Sequence, residues 1–521
     1  MMRMQGWIQT QFKESDKTPF TPFYAVTFVY TLLMTLLGHR PLWMDELATY
    51  YLAKSPTVER LFTAALKNDF NPPLQAALTA LSVKTFGDSP FAARLPSVIA
   101  FWIASVCIYN FAKFRLGRFY GLTAMLAFWA TDFLRYGVEA RPYALMIAFL
   151  GVAMVCWQQV YERKRRWVSI LGLSPGVAGL LSAHVFGALL LVPLAIAELV
   201  RSYDRKTLDW KIWFAFLAPM PLIALYLPMI GTFGQVAIAY PLAFQASFAK
   251  AFEFYGLVFS TGSVTLIIAF AAAILAARSN NAGDSAAAAD GDGSAGYQRH
   301  EIIFLAGLLV VPFIINFLLM RYSAAFWPRY GIGAGIGVGC LFAYFVARAT
   351  RISRSAAGVA ATILVVGFVA TRFPYPFFLS PQQNLTKALS IKDIPLDLPI
   401  VAASGVTFLE MNHREDDAFL SRTYYLTDPI AAKRYANATL FENYFSRQDL
   451  FPLRGHVVPY QAFIRQSPRF LVLCTLNYPE DWLMAKLLAT GASVRLLGEM
   501  DEGYHDKTVF EVTVNSTMLT E

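Results

Sequence analysis

Charged residues are scarce in this chain of 521 residues. Asp, Glu, Lys and Arg together make up 15% of it, whereas hydrophobic residues make up 56%. Soluble domains carry about 25% charged residues, so a soluble protein of this size is excluded. The composition is that of a protein that crosses the membrane several times.

Cysteine is also rare, and its placement excludes a disulfide within the last third of the chain. Cys107, Cys156 and Cys340 lie in apolar stretches, and Cys474 stands alone in a short hydrophobic run. The sequence lacks a metal-binding motif, and no cluster of carboxylates calls for Mg²⁺. We therefore predict neither a metal nor another cofactor.

Long runs without charge recur through the first two thirds of the chain. A helix needs about 20 mainly apolar residues to cross the hydrocarbon core of a bilayer. We predict about eleven such spans, at residues 21–38, 95–112, 119–135, 142–161, 167–183, 185–197, 212–230, 254–277, 302–320, 330–347 and 356–371. Only His184 and Gly187 separate the fifth and sixth, so one long re-entrant element is the alternative there.

Basic residues cluster in alternate loops of this arrangement. They are Lys113, Arg115 and Arg118, then Arg163 to Arg166, then Arg201, Arg205, Lys206 and Lys211, and finally Arg348, Arg351 and Arg354. Positively charged loops stay in the cytoplasm, so the other ends of the spans and everything after Thr371 are predicted to lie outside. These loops account for much of the net charge of +9, which leaves no case for nucleic-acid binding.

The predicted domains follow from changes in composition. Residues 1–373 form a membrane module with a first outer loop at 39–94, and a flexible cytoplasmic linker rich in Ala, Gly, Ser and Asp lies at 278–300. Residues 374–521 carry evenly spread charges, and a short apolar run stands at 399–403. Further along, the runs 469–474, 480–489 and 493–497 have the pattern of strand, helix and strand. The predicted fold is thus a mainly α polytopic bundle followed by an outer-face α/β domain.

Two adjacent carboxylates, Asp45 and Glu46, follow the first predicted span. Charges close to a bilayer are costly, so this acidic pair is a candidate functional site. An ordinary helix cap with a solvated neighbour is the alternative. Other polar residues are predicted at the same outer ends of the spans, namely Asn71, Arg94, Asp132, Arg135, Glu139, Arg141, Arg321 and Arg329.

Three charged residues lie close together between the third and fourth spans. Asp132, Arg135 and Glu139 share one face if the helix continues that far, since residues three and four apart are neighbours on a helix. Such a face is either a local ladder of salt bridges or a site in which Asp132 takes part in substrate orientation or catalysis.

Four motifs follow one another along the chain: WMDELATYYLA, NPPLQAALTALSVKTFGDSPFAARLPSVIA, RYGVEARPYALM and FWPRYG. In this order they resemble the C-type membrane glycosyltransferases, the group that includes protein O-mannosyltransferases and the aminoarabinose transferase of lipid A. The resemblance extends from about Thr21 to Gly331. It implies an enzyme of the bacterial inner membrane that transfers a sugar from a polyprenyl-phosphate donor to an acceptor on the outer face, with inversion at the anomeric carbon.

The resemblance also implies roles for the acidic pair. Asp45 matches the acidic residue of the first outer loop and would act as general base on the acceptor hydroxyl. Glu46 matches the adjacent acid, which orients the acceptor or supports Asp45. The chemistry is consistent, because a hydroxyl is a poor nucleophile until a carboxylate within hydrogen-bond reach takes its proton.

Arginines in three of the motifs are candidate ligands of the donor phosphate. They are Arg94, Arg141 and Arg329, and guanidinium groups pair well with phosphate and stabilise the charge that develops on a leaving group. Glu139 is the expected orienting partner, and Tyr143 is placed to stack on a sugar. For each arginine, tethering of a loop or of a lipid head group is the alternative.

One position departs from the pattern of the family. Asn71 stands where relatives often have Lys or His, so it offers the donor a hydrogen bond but no charge. The expected partners are the polyprenyl-phosphate sugar, membrane lipids and an acceptor that is a glycan, a lipid or a protein.

Two other classes of function are open at this point. In a transporter or flippase for a lipid-linked sugar, Asp45 and Glu46 would bind a proton or another cation. In a scaffold without catalysis, the outer α/β domain would bind a partner. Transporters place their ionisable groups near the middle of the bilayer on broken helices, whereas the charges here cluster at one predicted face, which favours transfer chemistry.

Overall fold

The computed structural model describes residues 20–68, 71–161, 166–233, 245–260, 262–279, 296–322, 324–372, 395, 397–445, 452–476, 478, 481–500 and 507–514. Contacts divide the described residues into two compact units. The helical unit comprises those of Met1–Arg40, Phe91–Leu225 and Gln245–Phe378. The α/β unit comprises those of Pro41–Pro90, Tyr226–Phe244 and Leu379–Glu521.

The α-helices of the described residues are, in chain order, α1 (Thr21–Gly38), α2 (Met44–Ala53), α3 (Val58–Asn68), α4 (Leu74–Phe86), α5 (Pro90–Leu116), α6 (Arg118–Ala130), α7 (Tyr143–Gln159), α8 (Arg166–Ala183), α9 (Gly187–Arg205), α10 (Trp210–Leu217), α11 (Pro221–Phe233), α12 (Phe248–Phe259), α13 (Ser263–Ser279), α14 (Arg299–Arg321), α15 (Ala334–Ala349), α16 (Arg354–Arg372), α17 (Gly405–Arg414), α18 (Asp417–Leu420), α19 (Pro429–Ala431), α20 (Leu440–Phe445), α21 (Tyr460–Gln466) and α22 (Trp482–Ala489). Short 3₁₀ helices lie at Asp132–Val138 and Pro328–Gly331, and a π-helical turn lies at Ala432–Ala436.

Length and composition identify the helices able to cross a membrane. Within the described ranges there are five of them, or up to seven if each of two sharply bent pairs forms one span. The five are α1, α5, α14, α16 and the stretch Trp210–Leu227. The prediction of about eleven spans also counted helices such as α6 and α15, which have 13 and 16 residues and are short for a bilayer. The mainly helical fold with a C-terminal sheet is confirmed.

The third predicted span ends earlier than expected. Helix α6 stops at Ala130, where the Thr131 hydroxyl donates to the Phe128 carbonyl oxygen at 2.6 Å. The 3₁₀ helix Asp132–Val138 follows, and Glu139 is extended, with φ −116° and ψ 133°. The prediction that Asp132, Arg135 and Glu139 share one α-helical face is therefore wrong. A 3₁₀ helix has 3.0 residues per turn, so only Asp132 and Arg135 stack along it.

The fifth and sixth predicted spans are two separate helices, α8 and α9. The break between them is closed by His184, whose carbonyl oxygen accepts from the Gly187 N–H at 2.8 Å. A side chain at Gly187 would collide with the Leu180 carbonyl oxygen, so the tight return requires glycine.

Alternate loops of the helical unit meet at the same end. At one end, Arg115 in the last turn of α5 pairs with Glu301 of α14 at 3.0 Å, and Arg299 of α14 lies 3.3 Å from Asp204 of α9. These are loops that the basic-residue pattern assigns to one side. The loops before α7, between α8 and α9, and before α15 meet in another group of contacts, described below. The first group of contacts joins loops that the basic-residue pattern assigns to one side, and the second joins loops that it assigns to the other.

The α/β unit contains a six-stranded sheet. Its strands are β1 (Ile400–Ala402), β2 (Thr423–Thr427), β3 (His456–Pro459), β4 (Arg469–Thr475), β5 (Ser493–Met500) and β6 (Lys507–Thr513), in the spatial order β3-β2-β1-β4-β6-β5. The first four are parallel, while β6 runs antiparallel to both β4 and β5. The run Phe470 to Cys474 is fully buried, as expected for a strand covered on both faces.

Two segments named from the sequence need separate mention. Contacts group the described residues of Pro41–Pro90, which lie in the predicted first outer loop, with the sheet of the α/β unit. The linker predicted at 278–300 lies mostly outside the described residues, which resume at 296, and α14 begins at Arg299.

Candidate functional site

The acidic pair occupies the first turn of α2 in the α/β unit. The N-cap residue, Trp43, is extended, and its backbone N–H donates to Glu46 Oε2 at 3.2 Å. Glu46 is 0% exposed. A carboxylate at the third helical position that accepts from the N-cap N–H is half of a capping box. The contact gives Glu46 a structural role in starting the helix.

Asp45 stands beside Glu46 but in different surroundings. It is half-buried, and successive residues of an α-helix point about 100° apart. It lies in the first turn, where free backbone N–H groups and the helix dipole favour negative charge. Asp45 therefore lies at the positive end of the α2 dipole.

Helix α2 packs on helix α17, which follows strand β1. The Tyr51 hydroxyl donates to the Leu409 carbonyl oxygen at 3.4 Å, and the Tyr50 ring meets His413 edge to face with 4.9 Å between centroids. Burial, with a smaller contribution from neighbouring charges, lowers the pKa of His413 to about 4. His413 is therefore neutral at neutral pH, and its ring packs against tyrosine without the cost of burying a charge.

Tyr50 ties α2 to Asp88 as well. Its hydroxyl donates to both carboxylate oxygens of Asp88, at 2.8 and 3.0 Å, and Lys54 Nζ lies 2.5 Å from Oδ2. Burial raises the pKa of Asp88, but hydrogen bonds from Lys54 and Tyr50 outweigh this effect and leave it below its ordinary value. Asp88 is therefore ionised and anchors the far end of the helix that carries Asp45.

We expect Tyr50→Phe to lower the free energy of unfolding by about 1 kcal/mol, because it removes a buried hydroxyl that donates to a carboxylate. Thermal unfolding of the purified protein measures the change. Tyr203→Phe is the matched control, since Tyr203 is 80% exposed. Equal melting temperatures for Tyr50→Phe and wild type would contradict the expectation.

A second group of predicted residues comes together in the helical unit. Arg141 precedes α7, Arg329 lies in the 3₁₀ helix before α15, and their guanidinium carbons are 6.0 and 5.8 Å from the centre of the Tyr143 ring. Arg329 also lies 5.0 Å from the Trp327 ring and 6.0 Å from the Tyr330 ring. These cation–π contacts place both guanidinium groups beside the Tyr143 ring. We call Arg141, Tyr143, His184, Arg329 and Tyr330 the arginine cluster.

His184 is the member of the arginine cluster that sequence reasoning missed. Its ring centre lies 5.5 Å from Tyr143 and 6.1 Å from Tyr330, and it stacks on Phe186 at 5.3 Å. In the sequence it served only to separate two apolar runs. The available signal was its position, as the one titratable side chain in a turn predicted to lie at the same side as Arg141 and Arg329.

Glu139 and Tyr136 adjoin the arginine cluster along the chain. The Glu139 carbonyl oxygen accepts from the Arg141 N–H at 2.7 Å, which fixes the turn into α7. The Tyr136 ring lies 5.6 Å from Tyr143, and its hydroxyl accepts from Arg135 Nη2 at 2.9 Å. The turn therefore holds two of the residues predicted as orienting groups, Glu139 and Tyr143, on either side of Arg141 in the chain.

Asp132 pairs with a residue that the sequence did not indicate. Arg372 Nη2, at the end of α16, lies 3.4 Å from Asp132 Oδ1 and 3.2 Å from the Thr131 carbonyl oxygen. The salt-bridge alternative for Asp132 is therefore realised, but between two helices instead of along one.

Arg94, predicted to bind phosphate, makes tethering contacts. It is 1% exposed, and its Nη1 donates to the Gly38 carbonyl oxygen at 2.9 Å and to that of Arg40. It thus caps the end of α1, where carbonyl groups have no partner within the helix.

We expect Arg94→Met to lower the free energy of unfolding by about 2 kcal/mol, because it removes hydrogen bonds from a charged group and leaves buried carbonyls unpaired. Thermal unfolding in detergent tests this. Arg94→Lys is the control, because it keeps the charge and a donor and should recover part of the loss. A melting temperature for Arg94→Met equal to that of wild type would argue against the tether.

Asn71 lies in the α/β unit, directly before Pro72, Pro73 and α4, and is buried. The same unit holds Asp45 and Glu46, whereas Asp132, Glu139, Arg141, Tyr143 and Arg329 belong to the helical unit. In the part of the chain that the structure describes, no group of three or more His, Cys, Asp or Glu residues is placed to hold a metal ion.

Comparisons with known proteins bear on the fold and the family. Residues 71–230 match the family model of dolichyl-phosphate-mannose-protein mannosyltransferases. The crystal structure of ArnT from Cupriavidus metallidurans bound to undecaprenyl phosphate is similar with a TM-score of 0.56 and 14% identity, over 94% of this chain and 97% of that chain. The apo structure of the same protein gives 0.54 and 13%, over 98% of each chain. No curated protein sequence matches this chain.

The fold is therefore shared with ArnT over nearly the whole chain. The family model agrees, over residues 71–230, with the resemblance to the C-type membrane glycosyltransferases that four motifs indicated.

Proposed function

We propose that this protein transfers a sugar from a polyprenyl-phosphate carrier to an acceptor at the outer face of the bacterial inner membrane. The observation that carries the proposal is the arginine cluster. It brings Arg141 and Arg329 together around Tyr143, in a fold shared with an ArnT structure bound to undecaprenyl phosphate.

Arg141 and Arg329 bind the donor phosphate. In the donor this phosphate is a diester with one negative charge, and when the bond to the sugar breaks it becomes a monoester that carries up to two. Guanidinium groups held in place before the reaction stabilise the charge that develops without having to reorganise. The aromatic rings of Tyr143, Trp327 and Tyr330 supply that preorganisation.

Asp45 is the general base. The acceptor oxygen attacks the anomeric carbon as the bond from that carbon to the phosphate oxygen breaks, and the proton of the acceptor passes to the Asp45 carboxylate. Attack from the side opposite the leaving phosphate inverts the anomeric configuration. Glu46 and the contacts of Tyr50 and Tyr51 hold the helix that carries Asp45.

The distribution of basic loops supports the location. Arg115, Arg201, Arg348 and Arg354 belong to loops that the positive-inside rule assigns to the cytoplasm. The turns that carry Arg141 and Arg329 belong to the alternate set. The reaction is therefore assigned to the outer face, where a polyprenyl-phosphate sugar meets its acceptor.

The test uses purified protein in lipid nanodiscs. Undecaprenyl-phosphate sugars are supplied with candidate acceptors from the cell envelope, and mass spectrometry detects glycosylated acceptor and released undecaprenyl phosphate. Product formation by wild type supports the proposal. Movement of a labelled lipid-linked sugar across sealed vesicles, without product, would instead favour a flippase.

A further inference from the structure

We propose that His184 is a third ligand of the donor phosphate and that it binds as a neutral hydrogen-bond donor through Nε2. This inference rests on the proposed function, because it adds a residue to the same phosphate site. Neither the motifs nor the charge pattern of the sequence pointed to it.

The position of His184 is fixed from several sides. It closes the break between α8 and α9, is 3% exposed, and lies between the rings of Tyr143, Phe186 and Tyr330. Tyr143 and Tyr330 are the rings that also hold Arg329. The imidazole is therefore part of the cluster that carries both candidate phosphate ligands.

A backbone contact determines which ring nitrogen carries the proton. The Phe186 N–H donates to His184 Nδ1 at 3.1 Å. A nitrogen that accepts a hydrogen bond is not protonated, so in the neutral ring the proton is on Nε2. Nε2–H can only donate and phosphate oxygens can only accept, so the two are complementary.

The charge of the ring is also set by its surroundings. Burial, with contributions from Arg141 and Arg329, lowers the pKa of His184 to about 3. The imidazole is therefore uncharged at neutral pH. Two arginines already match the two negative charges of the leaving phosphate, and a neutral donor adds a hydrogen bond without a third positive charge that would hinder product release.

No proton transfer is required of His184. The polyprenyl phosphate leaves as an anion and needs no general acid, so the ring keeps its Nε2 proton throughout. The only proton that moves is the one that the acceptor gives to Asp45.

Two substitutions separate binding of phosphate from a role in the turn. An Asn side chain places a polar atom near the position of Nδ1, so His184→Asn keeps an acceptor for the Phe186 N–H but loses the distal donor. A Gln side chain places an amide near the position of Nε2, so His184→Gln keeps the distal donor but loses the contact with Phe186.

The affinity of each variant for undecaprenyl phosphate is measured in nanodiscs, with undecaprenol as the uncharged control. We expect His184→Asn to bind undecaprenyl phosphate about tenfold or more weakly than wild type, because it loses a hydrogen bond to a charged group. His184→Gln should stay within about threefold of wild type. Affinity for undecaprenol should be unchanged in both.

The opposite order, with His184→Asn close to wild type and His184→Gln weak, would show a role confined to the turn and overturn the inference. Equal weakening of two stably folded variants would overturn it as well. If wild type itself does not bind undecaprenyl phosphate, the proposed function fails first.

A measurement on wild type covers the case in which the variants do not fold. The chain has only 6 histidines, so ¹⁵N-labelled histidine gives a spectrum that single substitutions at the other five can assign. With undecaprenyl phosphate bound, a dipolar coupling between His184 Nε2 and the phosphorus is expected. Its absence in a sample that binds the lipid would overturn the inference.

Discussion

Replacing Asp45 by Asn is expected to lower the rate of sugar transfer by about 10²- to 10⁴-fold, the usual contribution of a positioned general base. The amide fills the same space in the first turn of α2 but cannot take the proton of the acceptor. Binding of undecaprenyl phosphate should be unchanged, because Asp45 is proposed to contact the acceptor and not the phosphate. Single-turnover transfer and equilibrium binding measure the two effects separately.

Glu46→Gln is the matched control for this experiment. Its amide oxygen can still accept from the Trp43 N–H, so the helix should start at the same residue and the rate should fall by no more than about tenfold, the cost of one altered hydrogen bond. Sugar transfer by Asp45→Asn at the wild-type rate would contradict the assignment of Asp45 as general base. A large loss in Glu46→Gln alone would move that role to Glu46.

Sequence reasoning worked best where the structure depends on local composition. The first predicted span, 21–38, coincides with α1 because absence of charge over about 20 residues is itself the physical requirement. Strand β4 also follows from a local pattern, because the short apolar run at 469–474 predicts it and it is found at Arg469–Thr475. The capping contact of Glu46 spans only three residues and follows a known sequence signature, and the alternative of a helix cap was open from the start.

Elements fixed by distant contacts could not be predicted in this way. The apolar run of the third predicted span continues past Ala130, yet α6 ends there. The Thr131 carbonyl oxygen in the turn that follows accepts from Arg372, 241 residues further along the chain. The Tyr51 hydroxyl donates to the Leu409 carbonyl oxygen across 358 residues, so nothing in the sequence near Tyr51 indicates that its helix packs on α17. Contacts between residues that are distant in sequence produce no local hydrophobic periodicity from which they could be predicted.

The candidate site shows the same division. Motifs identified Arg141, Arg329 and Tyr143, and the structure brings them together. They also identified Arg94, whose guanidinium caps α1, because a motif records the residue type but not the direction of its side chain. His184 was overlooked because a single histidine in a short turn has no spacing to interpret, and its meaning comes from rings on α7 and beside α15.

The residues of the proposed function have two different roles. Arg141 and Arg329 are proposed to supply positive charge, which suits an anionic leaving group. Asp45, on the short helix α2, is proposed to supply a carboxylate, which suits a neutral acceptor hydroxyl. Substitutions at the two arginines should therefore act on donor affinity and those at Asp45 on the rate of transfer, so the two classes of variant can be told apart by measurement.

The strongest effect on donor affinity is expected from the double substitution Arg141→Ala and Arg329→Ala. Each guanidinium gives charge-assisted hydrogen bonds worth about 1.5 to 3 kcal/mol, so each single change should weaken binding of undecaprenyl phosphate by about 10- to 100-fold. The double change should abolish measurable binding, while affinity for undecaprenol is kept. Lysine at either position should restore only part of the loss, since it keeps the charge but not the planar fork that matches phosphate.

Arg299→Ala is the control for these substitutions, because Arg299 is an exposed arginine that pairs with Asp204 among the opposite set of loops of the helical unit. It should leave donor affinity at the wild-type value. Binding of undecaprenyl phosphate by the double variant at wild-type affinity would remove the arginine cluster from the donor site and, with it, the observation on which the proposed function depends. If the double variant loses affinity for undecaprenol as well, the substitutions have damaged the helical unit instead. The uncharged lipid lacks the phosphate that the arginines are proposed to bind.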